Sequence, residues 1–278
     1  MGAAAVAFSG GVDSGLVLAM AHRAFPKDCL ALTVAFRSLP TAERQAIKDF
    51  CQKSNIRHRF IEVDELLIPG FADNQPDRCY HCKHFLFSQM QSIADDAGLT
   101  LVDGSNVDDR QGYRPGLRAL RELNVVSPLA ECDLDKNAVR RLAQALALPM
   151  ADKASKPCLA TRFPYGEQLT HQKLNRVARA EELLEGLGFT NFRVRSHDKS
   201  ARIEVADDDW LRFANSGLRQ NIVDRFRGFG FVYISLDLEG FQSGSMDRMP
   251  PGPVKKAAHW LACGKSPPTT TNTLPVKL

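Results

Sequence analysis

"VAFSGGVDSGLVLAM", residues 6–20, runs from an apolar stretch through two glycines, an aspartate and two serines into a second apolar stretch of different spacing. Ala3 to Phe8 reads as a short buried strand, and Leu16, Val17, Met20, Ala21, Ala24 and Phe25 then recur at helical spacing. A strand that becomes a helix across Gly10 and Gly11 aims its turn amides and the positive end of the helix at one spot. Ser9 and Ser14 add hydroxyl donors, so an anion is expected there. The loop is not a Walker A motif, because the spacing differs and the phosphate-reaching lysine is missing. Asp13 would repel an anion unless it orients the loop or a magnesium ion. A tight turn with capping serines explains six residues equally well. Its place after the first strand of a parallel sheet favours the phosphate site, since ligands gather at strand carboxyl ends.

Working outward, "CLALTVAF" (29–36) is a second buried strand, followed by Thr41 as a helix cap and a helix that turns Ala46, Ile47, Phe50 and Cys51 inward. "RFIEVDE" is a third strand, Lys83 to Ala97 a helix ended by Gly98, "TLVDGSN" a fourth strand, "NVVSPL" a fifth, and Asp135 to Leu148 another helix. This alternation predicts an α/β fold with a parallel sheet covered on both faces. The second half differs. After the loop "ADKASKPCLATRFPYGEQ" comes a helix from Thr170, two alternating strands, "FRVRSHD" and "ARIEVAD", two brief helical stretches and the strand "FVYISLD", together a small α+β unit. The expected division is a nucleotide-binding domain over 1–150, a catalytic loop and linker over 151–169, a substrate-binding α+β domain over 170–248, and a tail over 249–278. The tail holds six of the 15 prolines and a "TTTNT" tract, too little apolar material to order it.

Composition bounds the function. With 278 residues, 44% hydrophobic and 24% charged, the chain can bury a full core. A net charge of +4, from 36 basic and 32 acidic residues, is too mild to imply nucleic-acid binding but suits an anionic small substrate. No window approaches a membrane span and the N-terminus lacks a signal-peptide pattern, so the expected compartment is the cytoplasm.

Seven cysteines, odd in number and unclustered apart from one pair, argue against a disulfide framework. Cys79 and Cys82 form a C-x-x-C in "DRCYHCKHF", at a helix start that would favour thiolates. Cys158 lies between the two halves beside Lys156 and Arg162, which would favour its thiolate too. The three could ligate an iron–sulfur cluster with one open iron, or a zinc ion completed by His81 or His84, or be unrelated. Cys29, Cys51 and Cys132 read as small core residues, and Cys263 falls in the tail.

The stretch Ser9, Gly10, Gly11, Val12, Asp13, Ser14 resembles the pyrophosphate loop of the N-type ATP pyrophosphatases, SGGxDS, without a mismatch. That superfamily implies cleavage of ATP between its α- and β-phosphates. The ordered set "SGGVDS", "PDRCYHCK", "DGSNVDDRQGYRPGLRAL", "KPCLATRFPYG", "FRVRSHDKSARIEV" and "GFQSGSM" narrows the resemblance to the LarE family of ATP-dependent sulfur transferases of nickel-pincer nucleotide synthesis, over residues 1 to about 247. The resemblance implies adenylylation of the carboxylates of pyridinium-3,5-biscarboxylic acid mononucleotide and their conversion to thiocarboxylates. It places Cys158 at the sulfur-donor position. In one branch that cysteine gives up its sulfur and becomes dehydroalanine; in the other, three cysteines hold a [4Fe-4S] cluster carrying an extra sulfide. Because Cys79 and Cys82 are present, the chain is similar to the cluster branch. Relatives imply a homo-oligomer.

Residue chemistry runs beside this. Alternation puts Arg193 and Arg195 on one strand face and Arg202 with Glu204 on the outer face of the next, a surface suited to a nucleotide phosphate or simply to solvent. Gly104, Ser105 and Asn106 follow the fourth strand as a second nucleotide-facing loop, and Asp108 or Asp109 could help hold magnesium; an Asx-rich turn is the alternative. Tyr113, Arg114 and Gly116 belong to the adjoining motif, with no role assigned by chemistry. Other enzymes of this fold, a tRNA thiolase or an amide ligase, compete with this reading, as does a nucleotide-binding module without catalysis. A tRNA enzyme should carry a dedicated basic or aromatic segment, and an amide ligase needs no thiolate trio.

Overall fold

Small side chains let the first strand be covered from both sides. β1 (Ala4–Ala7) reads Ala-Ala-Val-Ala, and successive residues point to opposite faces of a sheet. Ala5 packs with Leu32, Phe87 and Met90 on one face, and Val6 packs with Phe8, Leu16 and Val17 on the other. The computed structural model describes residues 2–110, 115–153 and 156–242. From β1 the chain continues through α1 (Val12–Ala24), β2 (Cys29–Phe36), α2 (Thr41–Lys53), β3 (Arg57–Val63), α3 (Arg78–Asp96) and β4 (Thr100–Val102).

These four strands form a parallel sheet in the order β3-β2-β1-β4. The chain steps outward from β1 to β3, then returns to the other side of β1. The point of reversal opens a crevice at the carboxyl ends of β1 and β4, where doubly wound sheets bind ligands. The expected α/β fold is therefore observed.

Several local expectations are corrected. "NVVSPL" does not form a fifth strand but a single parallel bridge, Val126 to Val102. Pro128, which has no N–H for a ladder, instead opens the short helix α5 (Pro128–Glu131), after α4 (Gly116–Glu122). Thr41 is the first helical residue rather than the cap; Pro40 holds that position without a side-chain bond. α3 starts at Arg78 rather than Lys83, which brings the C-x-x-C into its first turns. α6 (Lys136–Ala145) is capped by Asp135, whose carboxylate accepts from Ala138 N at 2.6 Å. Cys132 is exposed, not a core residue.

The second sheet follows a 3-10 turn (Leu159–Arg162) and α7 (His171–Gly186), whose N-cap Thr170 accepts from Lys173 N at 3.2 Å. β5 (Phe192–His197) pairs antiparallel with β6 (Ser200–Val205). α8 (Asp207–Trp210) and α9 (Ser216–Gly228) carry the chain to β7 (Tyr233–Leu236), parallel to β6. The core under this sheet includes Val177, Leu184, Val194, Ile203 and Phe226, and it also takes in Ile68, Phe71 and Leu86 from before and within α3. Among the described residues no helix is long and apolar enough to cross a membrane. The tail from 249, with Cys263, and residues 243–246 of "GFQSGSM" lie outside the described residues, as do Tyr113 and Arg114.

Candidate active site

The loop after β1 is built from its own hydroxyls. Ser14 Oγ accepts from Ser9 N at 3.2 Å, lies 3.0 Å from Ser9 Oγ, and donates to the Gly11 carbonyl at 3.3 Å. Gly10 has a φ of +76°, and a Cβ there would stand 2.8 Å from Ile47, so glycine is required twice over. Val12 and Ser14 are buried in the first turn of α1. Gly104, after β4, comes so close that a Cβ on it would lie 2.6 Å from Ser14 N. The two sequence-predicted loops thus meet across the crevice. Asn106 Nδ2 donates to Asp13 Oδ1 at 2.9 Å, while Ser105 Oγ and Ser127 Oγ both donate to Asp103.

Asp13 is held from a second side by Lys136 Nζ, at the start of α6. The other acidic candidates bond backbone. Asp108 accepts from Lys136 N at 2.9 Å and Asp109 from Asn106 N at 3.1 Å, so both fix backbone at the crevice. A cleft of about 740 Å³ opens beside Ser105, Asn106 and Ser127 and reaches Asp77 and Tyr80 at the start of α3 and Arg118 in α4. A second, of about 730 Å³, lies across the loop against Gly10, Ile47, Phe50, Met150 and Lys153.

α3 delivers the cysteine pair, and the segment before the 3-10 turn delivers Cys158. Cys158 and Cys79 lie near enough to Cys82 to raise its pKa, and Cys79 acts likewise on Cys158. Burial, then Cys158 and Cys79, push Cys82 up to about 12, against the opposing pull of Arg78 and Lys83. Cys158 presents exposed residue surface, yet burial pushes its thiol upward, opposed by Arg78, the Ala160 N–H and Arg162. The expectation of lowered thiol pKa values is therefore reversed for these two: desolvation of sulfur outweighs the helix start and the basic neighbours. Lys156 turns away, to Glu185 at 2.9 Å and Glu43 at 3.2 Å.

Three thiols with one position left open match a [4Fe-4S] cluster in kind, and bound iron would displace their protons. Among the described residues no three His, Cys, Asp or Glu side chains converge closely enough to hold a metal ion. Zinc is less well served still, since His81 bonds Asp77 at 3.1 Å and the His84 ring lies against Tyr80.

The arginine face is corrected in one respect: it is not a solvated surface. Glu204 is 0% exposed and Arg195 4%. Arg195 Nε donates to Glu204 Oε2 at 2.9 Å, and its Nη1 donates to the Thr161 carbonyl at 3.0 Å. Arg202 reaches Glu204 Oε1 at 3.3 Å and Asp237 at 3.1 Å. The segment containing Cys158 and Thr161 covers this face, so Arg195 and Glu204 anchor that segment. Arg193 lies over the Phe241 ring at 4.9 Å, and burial, then the charge of Arg162, push its pKa down to about 10.

A family model, "Queuosine biosynthesis protein QueC", matches residues 3–70, the part that contains the loop. An uncharacterised protein of Synechocystis is 40% identical over 247 residues, covering 88% of this chain and 92% of the relative. An uncharacterised protein of Methanocaldococcus jannaschii is 28% identical over 239 residues, covering 86% and 90%. The pyridinium-3,5-bisthiocarboxylic acid mononucleotide synthase of Lactiplantibacillus plantarum is 38% identical over 247 residues, covering 87% of this chain and 88% of that enzyme. The chain belongs to the LarE family.

In this LarE-family site, sequence reasoning missed Lys136, Arg78 and Glu181, and took Arg162 only as a basic neighbour of Cys158. Lys136 had no motif around it beyond its place after a helix cap. Arg162 is 2% exposed and grips Glu181 with two bonds of 2.7 and 3.1 Å, while Glu181 also accepts from Val194 N at 3.0 Å. Arg78, beside the C-x-x-C, donates to the Asn74 side chain, to the Ala160 carbonyl at 3.3 Å and to Cys79 Sγ at 3.7 Å. Its adjacency to Cys79 was the available signal. Glu181 carried none, because it lies on a helix whose charged residues otherwise read as a solvated face.

Proposed function

We propose that this protein is an AMP-forming, ATP-dependent sulfur transferase acting on pyridinium-3,5-biscarboxylic acid mononucleotide and converting its carboxylates to thiocarboxylates. The observation that carries the reading is the meeting of the Ser9–Ser14 loop with Gly104–Asn106 at the switch point, with Cys79 and Cys82 in the first turns of α3 and Cys158 just before the 3-10 turn. The synthase of Lactiplantibacillus plantarum, named for the bisthiocarboxylic product, supports the substrate.

In this mechanism the loop amides of Gly10, Gly11 and Val12 and the hydroxyls of Ser9 and Ser14 hold the β- and γ-phosphates at the N-terminus of α1. Asp13, positioned by Asn106 and Lys136, is the residue that would hold a magnesium ion, which would supply neutralisation of phosphate charge. A substrate carboxylate oxygen attacks the α-phosphorus and pyrophosphate leaves, giving an acyl adenylate. A sulfur nucleophile then attacks the carbonyl carbon and AMP departs with the carboxylate oxygen. Cys158 would act in either route, as donor of its own sulfur or as the third cluster ligand with Cys79 and Cys82. The [4Fe-4S] cluster, when bound there, supplies a renewable sulfide in place of the Cys158 sulfur. Arg193, on the edge strand β5, and Arg202, on the central strand β6, bind the mononucleotide phosphate over the anchored Arg195 and Glu204 pair.

The division assigns residues 1–150 to ATP, 151–169 to the catalytic loop and 170–248 to the substrate, in a cytoplasmic homo-oligomer. Anaerobic turnover with ATP, magnesium, sulfide and the biscarboxylic mononucleotide, read by mass spectrometry, should show replacement of carboxylate oxygen by sulfur. Consumption of ATP with the mononucleotide unchanged would refute the substrate assignment.

A further inference from the structure

An anion loop without a lysine must find its countercharge elsewhere. Ser9–Ser14 offers backbone amides and hydroxyls, and its charged residue, Asp13, is a carboxylate. A triphosphate keeps net negative charge after binding one divalent cation, and more builds on the leaving phosphate as the α–β bond breaks. Lys136 and Lys156 are already held by carboxylates, Lys136 by Asp13 and Lys156 by Glu185 at 2.9 Å and Glu43 at 3.2 Å. Lys153 is held loosely. Its Nζ lies 3.4 Å from the Gly10 carbonyl, longer than a usual hydrogen bond, and 3.8 Å from Glu43.

The backbone beneath Lys153 is fixed against the loop. Met150 packs where α1 has no side chain, since a Cβ on Gly15 would stand 2.9 Å from its Sδ. Lys153 N donates to the Met150 carbonyl at 3.1 Å, and Asp152 accepts from Gln144 Nε2 of α6 at 2.9 Å. Lys153 thereby lines the cleft of about 730 Å³ together with Gly10 and Glu43. With a side chain 31% exposed on a four-carbon stem, its ammonium can turn from a carbonyl to a phosphate oxygen while the backbone stays in place.

We propose that Lys153 is the cation of the pyrophosphate site, donating to the β- and γ-phosphate oxygens of ATP and staying with the departing pyrophosphate. This deepens the ATP reading above and rests on it. As the carboxylate oxygen bonds the α-phosphorus, the electron pair of the breaking bond passes to the β-phosphate oxygen, and Lys153 offsets the charge that collects there. Glu43 is its partner while the site is empty.

The test is calorimetric titration of the full-length protein with inorganic pyrophosphate, and separately with AMP, each with magnesium. Lys153→Met should weaken pyrophosphate binding about 10- to 100-fold, as loss of one charge-assisted hydrogen bond does, and leave AMP within about twofold. Lys153→Arg should keep most of the affinity. Glu43→Gln should strengthen pyrophosphate binding when Lys153 is present and much less in the Lys153→Met background, since the gain comes from freeing that ammonium. Pyrophosphate binding by Lys153→Met equal to wild type, an equal loss for AMP, or the same Glu43→Gln gain in both backgrounds overturns the assignment and leaves the ATP reading standing. So does wild type that binds ATP but not pyrophosphate. Wild type that binds neither would overturn the ATP reading and this assignment with it.

Discussion

At the residue scale, a buried charge is defined by its partner. Arg195 and Arg193 sit two apart on β5, on the same face, and alternation made them equivalent in the sequence. Coverage by the Thr161 segment separates them: Arg195 is sealed against Glu204, while Arg193 stays near the edge over Phe241. Arg195→Ala would take one of two arginines from a fully buried glutamate, and urea unfolding should show a loss of about 3 kcal/mol. Arg193→Ala should cost little stability and weaken mononucleotide binding, measured by calorimetry, by about 1.5–3 kcal/mol with ATP binding intact. Equal loss of both affinities would return Arg193 to a structural role. Buried thiols add a pH dependence. Cys29 and Cys51 are each pushed up to about 11 from 9.0, Cys29 by burial and Cys51 by burial and then its neighbour Cys29. Since their folded pKa values exceed the unfolded one, their protonated forms support the fold fully below pH 9, and that support is lost as pH rises toward 11. Unfolding midpoints measured across this range should fall, and Cys29→Ala with Cys51→Ala should flatten the slope.

At the element scale, Gly104 decides how closely the loop after β4 approaches the start of α1. A Cβ would meet backbone, Ser14 N at 2.6 Å and Ser14 Cα at 2.9 Å, and neither can rotate away. Gly104→Ala should therefore part the two loops, cost about 1–3 kcal/mol and suppress ATP turnover. Gly186→Ala is the control: nothing lies within 4 Å of its Cβ, and it ends a helix, so activity and stability should hold. Activity in Gly104→Ala equal to the control would remove the second loop from the nucleotide site. The parallel sheet around this crevice was legible from alternating strands and helices; its order, β3-β2-β1-β4, was not, because apolar strand runs do not say which strands pair. The fifth strand was not, because Val125 and Val126 look like strand residues whatever follows, and the proline two positions on decides in favour of a helix.

At the scale of the whole molecule, the second sheet shares its core with Ile68, Phe71 and Leu86, residues of the chain that leads into and along α3. Calorimetry should therefore give one cooperative transition over both sheets, and Phe71→Ala should lower it by about 3–5 kcal/mol as a single peak. Separate peaks would mean independent units. This shared core also explains what the sequence conveyed of the site and what it withheld. Motifs such as SGGVDS are contiguous, so the loop, the C-x-x-C and Cys158 could be read directly. Arg78 with Ala160, Arg162 with Glu181 and Lys136 with Asp13 pair across 82, 19 and 123 positions, and single-sequence periodicity carries no trace of such pairings.

The central claim is activation of a substrate carboxylate by adenylylation. Its most direct measurement starts from biscarboxylic mononucleotide labelled with heavy oxygen in its carboxylates, turned over anaerobically with ATP, magnesium and sulfide. Phosphorus NMR and mass spectrometry of the nucleotide products should find AMP carrying one labelled oxygen and unlabelled pyrophosphate, because the carboxylate oxygen that attacks the α-phosphorus leaves with it. Unlabelled AMP, or ADP with inorganic phosphate, would contradict the account.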